Sequence, residues 1–166
     1  MDIQFRALDL ADCALVYKWF HEPWVKKWFS PDACEYNKFF DNHKKKLNRE
    51  SEWHFIALFN NIPFGYICYY DAFIEVDMDE PEGTYGIDLF IGNSEFIGKG
   101  FGKKMVSSFI KYMLETNKNI SRIIVDPHIN NFPAFNMYLS LGFQKTREVV
   151  DPHYGQMIIM DYPIPS

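Results

Sequence analysis

Cysteine is scarce in this chain, and what there is lies scattered. The 166 residues contain three, Cys13, Cys34 and Cys68. A disulfide framework needs an even set, and a structural zinc site needs ligand pairs at short spacing, so neither is expected. Cys13 and Cys68 sit among apolar neighbours and read as buried thiols. The five histidines, His21, His43, His54, His128 and His153, are equally isolated, and no metal is implied. No apolar run is long enough to span a bilayer, and no apolar leader opens the sequence, so a cytoplasmic protein is expected. Positive charge is also in short supply: 17 Lys and Arg stand against 22 Asp and Glu, a formal charge of −5. That balance argues against nucleic acid or an anionic membrane as partner. It suits a small cationic partner, and it equally suits plain solubility. Repeats, low-complexity tracts and linkers are lacking, which predicts one domain over residues 1–166, a monomer or weak homodimer.

Apolar residues make up 48% and aromatic residues 18%, with 16 Phe and 10 Tyr. One core cannot easily absorb so many rings, so some are expected to line a cleft. Along the chain, Ile3 to Leu8 alternates as a strand. Asp9 caps a helix to about Phe20, with Leu10, Ala14, Leu15 and Trp19 on one face. His21 to Pro31 reads as a loop, and Asp32 to Leu47 as a second helix. Trp53–Phe59 and Ile62–Tyr70 form a hairpin across Asn60-Asn61. An acidic loop, Glu75 to Gly83, precedes a strand from Thr84 to Ile91. A long helix follows Gly98-Lys99-Gly100-Phe101-Gly102, with Met105, Phe109 and Met113 or Tyr112 inward. A short strand at Arg122–Val125, a helix at Pro133–Leu141 ended by Gly142, and strands Phe143–Val150 and Gln156–Tyr162 complete the chain. The predicted fold class is α/β in the α+β sense: a mixed, mostly antiparallel sheet of six or seven strands flanked by about four helices.

Two stretches carry chemistry. Gly98, Gly100 and Gly102 alternate between a strand and a helix. Backbone amides bare of side chains, at a helix N-terminus and beside Lys99 and Lys103, suit a diphosphate. A flexible turn with a glycine cap would look the same. The spacing is neither a dinucleotide fingerprint nor a Walker loop. In Gly86-Ile87-Asp88-Leu89-Phe90, a carboxylate stands inside an apolar strand, where burial without a partner is costly. Asp88 either faces solvent at an edge or meets a cation in a cleft. In a cleft it could hold an ammonium group and accept its proton.

The segment Ile97-Gly98-Lys99-Gly100-Phe101-Gly102 resembles the acetyl-CoA pyrophosphate loop of the GNAT acetyltransferases, whose pattern is Gln/Arg-x-x-Gly-x-Gly/Ala. Ile97 stands where Gln or Arg is usual. Asn131-x-x-Ala134-x-x-x-Tyr138-x-x-x-Gly142-Phe143 resembles the family's second signature, and the order of elements agrees throughout. Among the family, the aminoglycoside 6'-N-acetyltransferases look most similar, through Gly86-Ile87-Asp88, the glycine loop, Asp126-Pro127 and Tyr138. The resemblance implies acetyl-CoA as cosubstrate, with Phe90, Ile91, Ile97, Gly98, Lys99, Gly100, Phe101, Gly102, Lys103, Asn131, Ala134 and Tyr138 around it. It implies Asp88 as base or ammonium anchor and Tyr138 as proton donor to the leaving thiolate. Trp24 and Asp126 would contact the acceptor, a small polycationic amine.

Glu75, Asp77, Asp79, Glu80 and Glu82 place five carboxylates in eight positions, a field that would draw in such a cation. Asp77 or Asp79 is the expected contact, though a solvated loop reads the same way. Trp24, Trp28, Tyr66 and Tyr85 could pack on sugar rings or belong to the core. Two other functions fit the same residues: acylation of hydroxylysine-type side chains in siderophore assembly, and a non-catalytic module that binds acyl-CoA.

Overall fold

A computed structural model describes residues 2–29, 35–75 and 79–164. Seven strands form one sheet: β1 (Gln4–Ala7), β2 (Glu52–Phe59), β3 (Ile62–Asp71), β4 (Thr84–Ile91), β5 (Arg122–Val125), β6 (Gln144–Asp151) and β7 (Gly155–Tyr162). Their order is β1-β2-β3-β4-β5-β7-β6. The β1–β2, β5–β7 and β6–β7 pairs are antiparallel, and β4–β5 is parallel. Five helices accompany them: α1 (Cys13–Phe20), α2 (Pro23–Lys26), α3 (Tyr36–Leu47), α4 (Phe101–Thr116) and α5 (Phe132–Ser140). The mixed sheet and element order match the sequence reading.

Local details depart from it for identifiable reasons. Asp9 does cap, accepting from the Ala11 amide, while Asp12 reaches back to the Asp9 amide to close a capping box. The first turn is 3-10, which rotates the inward face. Cys13, Val16 and Trp19 are buried, whereas Leu10 is exposed and Ala14 faces out. Inside the expected loop after His21, Pro23 occupies the first helical turn, where its missing amide costs nothing, and opens α2. Asp32, the expected start of the second helix, lies outside the described residues, as does Cys34. Asn60 and Asn61 both have positive φ, 52° and 63°, as a tight hairpin turn requires.

The chain divides into two compact units, Met1–Cys68 with Leu89–Phe101, and Tyr69–Asp88 with Gly102–Ser166. In the first, an aromatic core gathers on Phe90. Phe20, Tyr66, Phe29 and Trp19 lie with ring centroids 4.9, 5.2, 5.5 and 6.4 Å from it. Gly92 admits the Trp19 indole, for a Cβ there would lie 2.1 Å from the ring. In the second unit α4 buries Met105, Val106, Phe109, Ile110 and Met113, and Tyr69 packs on Phe109 and Tyr85. Tyr85 is therefore core, and no sugar-stacking ring.

Glu80 corrects the reading of the acidic loop. Its side chain is fully buried and pairs with both Arg122 and Arg147. Arg122 also grips Asp161 through two bonds of 2.6 and 2.8 Å. A buried carboxylate between two guanidinium groups fastens the segment before β4 and is no lure for a distant cation. Removing one partner of such a pair leaves charge stranded. Glu80→Ala should lower stability by about 3 kcal/mol, read as a drop in urea midpoint at unchanged slope. A change within experimental error would show that the network is not holding this segment.

Candidate active site

The partners along β4 and β5 are Thr84↔Arg122, Tyr85↔Ile123 and Gly86↔Ile124, a constant offset of 38 (122 − 84). Carried two residues on, that offset sets Asp88 level with Asp126. The parallel pairing itself stops at Gly86. Side chains two apart on a strand share a face, so Asp88 projects from the face of Gly86. Tyr70 covers that glycine: a Cβ on Gly86 would lie 2.2 Å from the Tyr70 ring. Tyr70 also packs with the buried cluster of Ala72, Ile124 and Ile159.

The electrostatics show how close these groups are. The Asp126 carboxyl is pushed well above the usual aspartate range, first by its burial, then by the charges of Asp88 and of Asp151 at the end of β6. Tyr138, buried on α5, is raised well above an ordinary phenol, first by burial and then by Asp88 and Asp126. Two carboxylates thus act on one phenol, and a third, Asp151, acts on Asp126. The phenol stays protonated and able to donate, and the site attracts a cation. Asp151 and Tyr70 were missed in the sequence. Asp151 looks like one more hairpin acid, and only the β6–β7 pairing brings it in.

Asn131 stands at the N-cap of α5, and its Oδ1 accepts from the Ala134 amide at 3.3 Å. This uses the side-chain oxygen and leaves its NH2 group to donate elsewhere. Tyr138 lies one helical turn beyond Ala134, so capping fixes its direction. His128 is half-buried, and its Nδ1 accepts from the Asn130 amide.

In the other unit, Ile97, Gly98, Lys99 and Gly100 are exposed. Gly98 and Gly100 have φ of 71° and 79°, the left-handed region where side chains are strained, and nothing lies within 4 Å of a Cβ built on either. Among the described residues, the amides of Gly98, Lys99 and Gly100 donate to no main-chain carbonyl. This is a run of open donors leading into α4, and it fits a diphosphate. The Phe101 ring turns away into Phe96, Phe59 and Phe64, at 4.7, 5.0 and 5.4 Å. Only its main chain is left for an anion. Phe90 is likewise buried by its ring, and Ile91 accepts from the Trp24 indole at 2.8 Å. Trp24 is therefore held in place, its one donor already in use. Gly102 and Lys103 lie in the first turn of α4. Of the acidic loop, Asp79 is exposed with φ of 49°, and Asp77 lies outside the described residues.

The glycine turn thus opens the helix between β4 and β5, and a further helix, α5, lies between β5 and β6. A family profile described as "Acetyltransferase (GNAT) domain" matches residues 9–150, and the chain belongs to that family. It is 26% identical over 161 residues to aminoglycoside N(6')-acetyltransferase type 1 of Klebsiella pneumoniae, covering 90% of this chain and 78% of that one. A spermine/spermidine N(1)-acetyltransferase of Bacillus subtilis (strain 168) is 35% identical over 80 residues, 48% of this chain and 52% of that one. The solved structure of AAC(6')-Ib with ribostamycin and coenzyme A superposes with a TM-score of 0.89 at 25% identity, covering 98% and 93% of the two chains.

The raised Asp126 carboxyl has a consequence for stability. The folded chain keeps a proton there that the unfolded chain has given up once pH passes the ordinary aspartate value of about 4. Asp126 therefore costs stability increasingly as pH rises from that value toward its folded one. Asp126→Asn should stabilise the chain, more so near pH 8 than near pH 4. Paired urea unfolding curves check this, and a gain that shrinks with rising pH would contradict it.

Proposed function

We propose that this chain transfers an acetyl group from acetyl-CoA to a primary amine of an aminoglycoside-like polycation. The observation that carries the reading is the pair of carboxylates, Asp88 and Asp126, acting on the buried Tyr138 phenol, with Asp151 acting in turn on Asp126. Family membership supplies the reaction type, and the similarity to aminoglycoside N(6')-acetyltransferases over most of the chain supports the acceptor class.

Residues 97–103 bind the diphosphate through main-chain donors, with Lys99 and Lys103 adding charge. Asn131, Ala134 and the main chain of Phe90 and Ile91 hold the rest of the cosubstrate. Asp88 and Asp126 anchor the incoming ammonium group. Asp88 takes its proton, directly or through water, because only the neutral amine has a lone pair to attack with. Main-chain amides near Leu89 to Ile91 polarise the acetyl carbonyl. As the C–N bond forms and the C–S bond breaks, the Tyr138 hydroxyl passes its proton to sulfur. No covalent enzyme intermediate is needed. Asp79 and Asp77 meet the outer amines of the acceptor, and Trp24 also contacts it. One domain over residues 1–166, acting as monomer or weak homodimer in the cytoplasm with neither nucleic acid nor membrane as partner, completes the proposal.

Thiol release should appear when the protein meets acetyl-CoA and ribostamycin. It should be weaker with spermidine and with hydroxylysine. Asp88→Asn should lower kcat about 100-fold or more with little change in acetyl-CoA affinity, and Tyr138→Phe should slow turnover by about tenfold. An Asp88→Asn variant with wild-type turnover would refute the role of that carboxylate. Preference for hydroxylysine would move the acceptor to the siderophore class, and no thiol release with any amine would leave only an acyl-CoA-binding module.

A further inference from the structure

A second cluster of titratable side chains lies in the unit of Met1–Cys68 and Leu89–Phe101 and takes no part in the reaction above. Glu52 and His54 stand two apart on β2 and share a face. The buried His54 places Nε2 3.1 Å from Glu52 Oε2 and Nδ1 2.7 Å from the Tyr66 hydroxyl. Arg49 donates to the other Glu52 oxygen at 2.5 Å. Burial alone would push the Glu52 carboxyl up, but the bonds from His54 and Arg49 outweigh it and carry it down to about 2. An ionised carboxylate only accepts, so the hydrogen on the His54 ring sits on Nε2. In the neutral ring Nδ1 is then a bare acceptor, and the Tyr66 O–H donates to it. The chain of bonds has one direction, Tyr66 to His54 to Glu52.

Its far end is the aromatic core. The Tyr66 ring stacks on Phe90 with centroids 5.2 Å apart and planes at 25°. The next residue, Ile91, accepts from Trp24. The relay therefore ends on the ring of Phe90, whose main chain is assigned above to the cosubstrate.

We propose that Glu52 and His54 are positioning residues for acetyl transfer, holding the Tyr66 hydroxyl as a donor and its ring against Phe90. The kinetic part rests on the proposed function. The groups facing His54 are Glu52 on β2, Tyr66 on β3, Arg49 before β2 and His43 on α3, whose ring is 6.4 Å away. His43 is pushed down to about 4, by burial first and by the His54 charge next, with Lys46 adding and Asp12 opposing. Its Nε2 is buried without a hydrogen-bond partner among the described residues. At neutral pH His43 is thus neutral and Glu52 anionic.

Two measurements on the full chain test this. Nitrogen NMR of the free protein at neutral pH should find the His54 hydrogen on Nε2. Finding it on Nδ1 overturns the proposal whether or not the chain acetylates anything. Second, kcat and KM with acetyl-CoA and ribostamycin are compared at neutral pH for wild type, His54→Asn and His54→Ala. In H54N the new side-chain carbonyl oxygen would take the place of Nδ1 as an acceptor, so this variant should keep kcat within about threefold of wild type. H54A should lose kcat by roughly 10- to 100-fold, with little change in the acceptor KM. A kcat in H54N as low as in H54A, or an unchanged kcat in H54A, overturns the proposal. If no variant turns over any amine, the proposed function fails, and the NMR result alone decides the orientation of the relay.

Discussion

Like charges held side by side are the constraint on which the candidate site depends. The parallel β4–β5 pair, with its constant offset of 38, sets Asp88 and Asp126 at the same level just past the last paired residues. Two carboxylates in a half-buried place repel each other, and desolvation adds to the strain. The fold bears this because the acid can be relieved in two ways: by keeping a proton, or by receiving a cation. An ammonium group supplies the second, so the burial and repulsion that together raise Asp126 also favour an amine. Tyr138 stays protonated because it is buried and, beyond that, faces both charges. Affinity for a cation and readiness to donate a proton follow from one arrangement of acids.

The surrounding structure keeps that arrangement in place. Asn131 caps α5 and so directs Tyr138. Gly86 gives up its side chain so that Tyr70 can lie on the face from which Asp88 projects. The buried Glu80 with Arg122 and Arg147 fixes the segment before β4 and satisfies charges at the start of β5. In the other unit, Phe90 is held on several sides by rings, so the strand beyond Asp88 leads into a rigid aromatic core. Opposite charges are neutralised in the Glu80 network, and like charges are left together near Asp88.

Much of this could be read in the residues alone, and the reason lies in how local each signal is. Asn60-Asn61, Gly142 and the alternating glycines announce their turns because positive φ is tolerated by few residue types. Asp88 announced itself as a charge within an apolar strand. Asp151 could not, since its meaning comes from strand pairing across many residues. Glu80 misled for the same reason: five acids within eight positions look solvated until Arg122 and Arg147, 42 and 67 residues on, are folded against one of them. The face of α1 slipped because a 3-10 first turn does not keep the helical period. The Glu52–His54–Tyr66 chain was illegible too, as its direction depends on the β2–β3 hairpin and on burial.

The most direct test of the account is a crystal structure of the chain with coenzyme A and ribostamycin bound together. One acceptor amine should lie within hydrogen-bond distance of Asp88, and the coenzyme sulfur beside the Tyr138 hydroxyl. An amine held away from Asp88 and Asp126, or a sulfur remote from Tyr138, would contradict it.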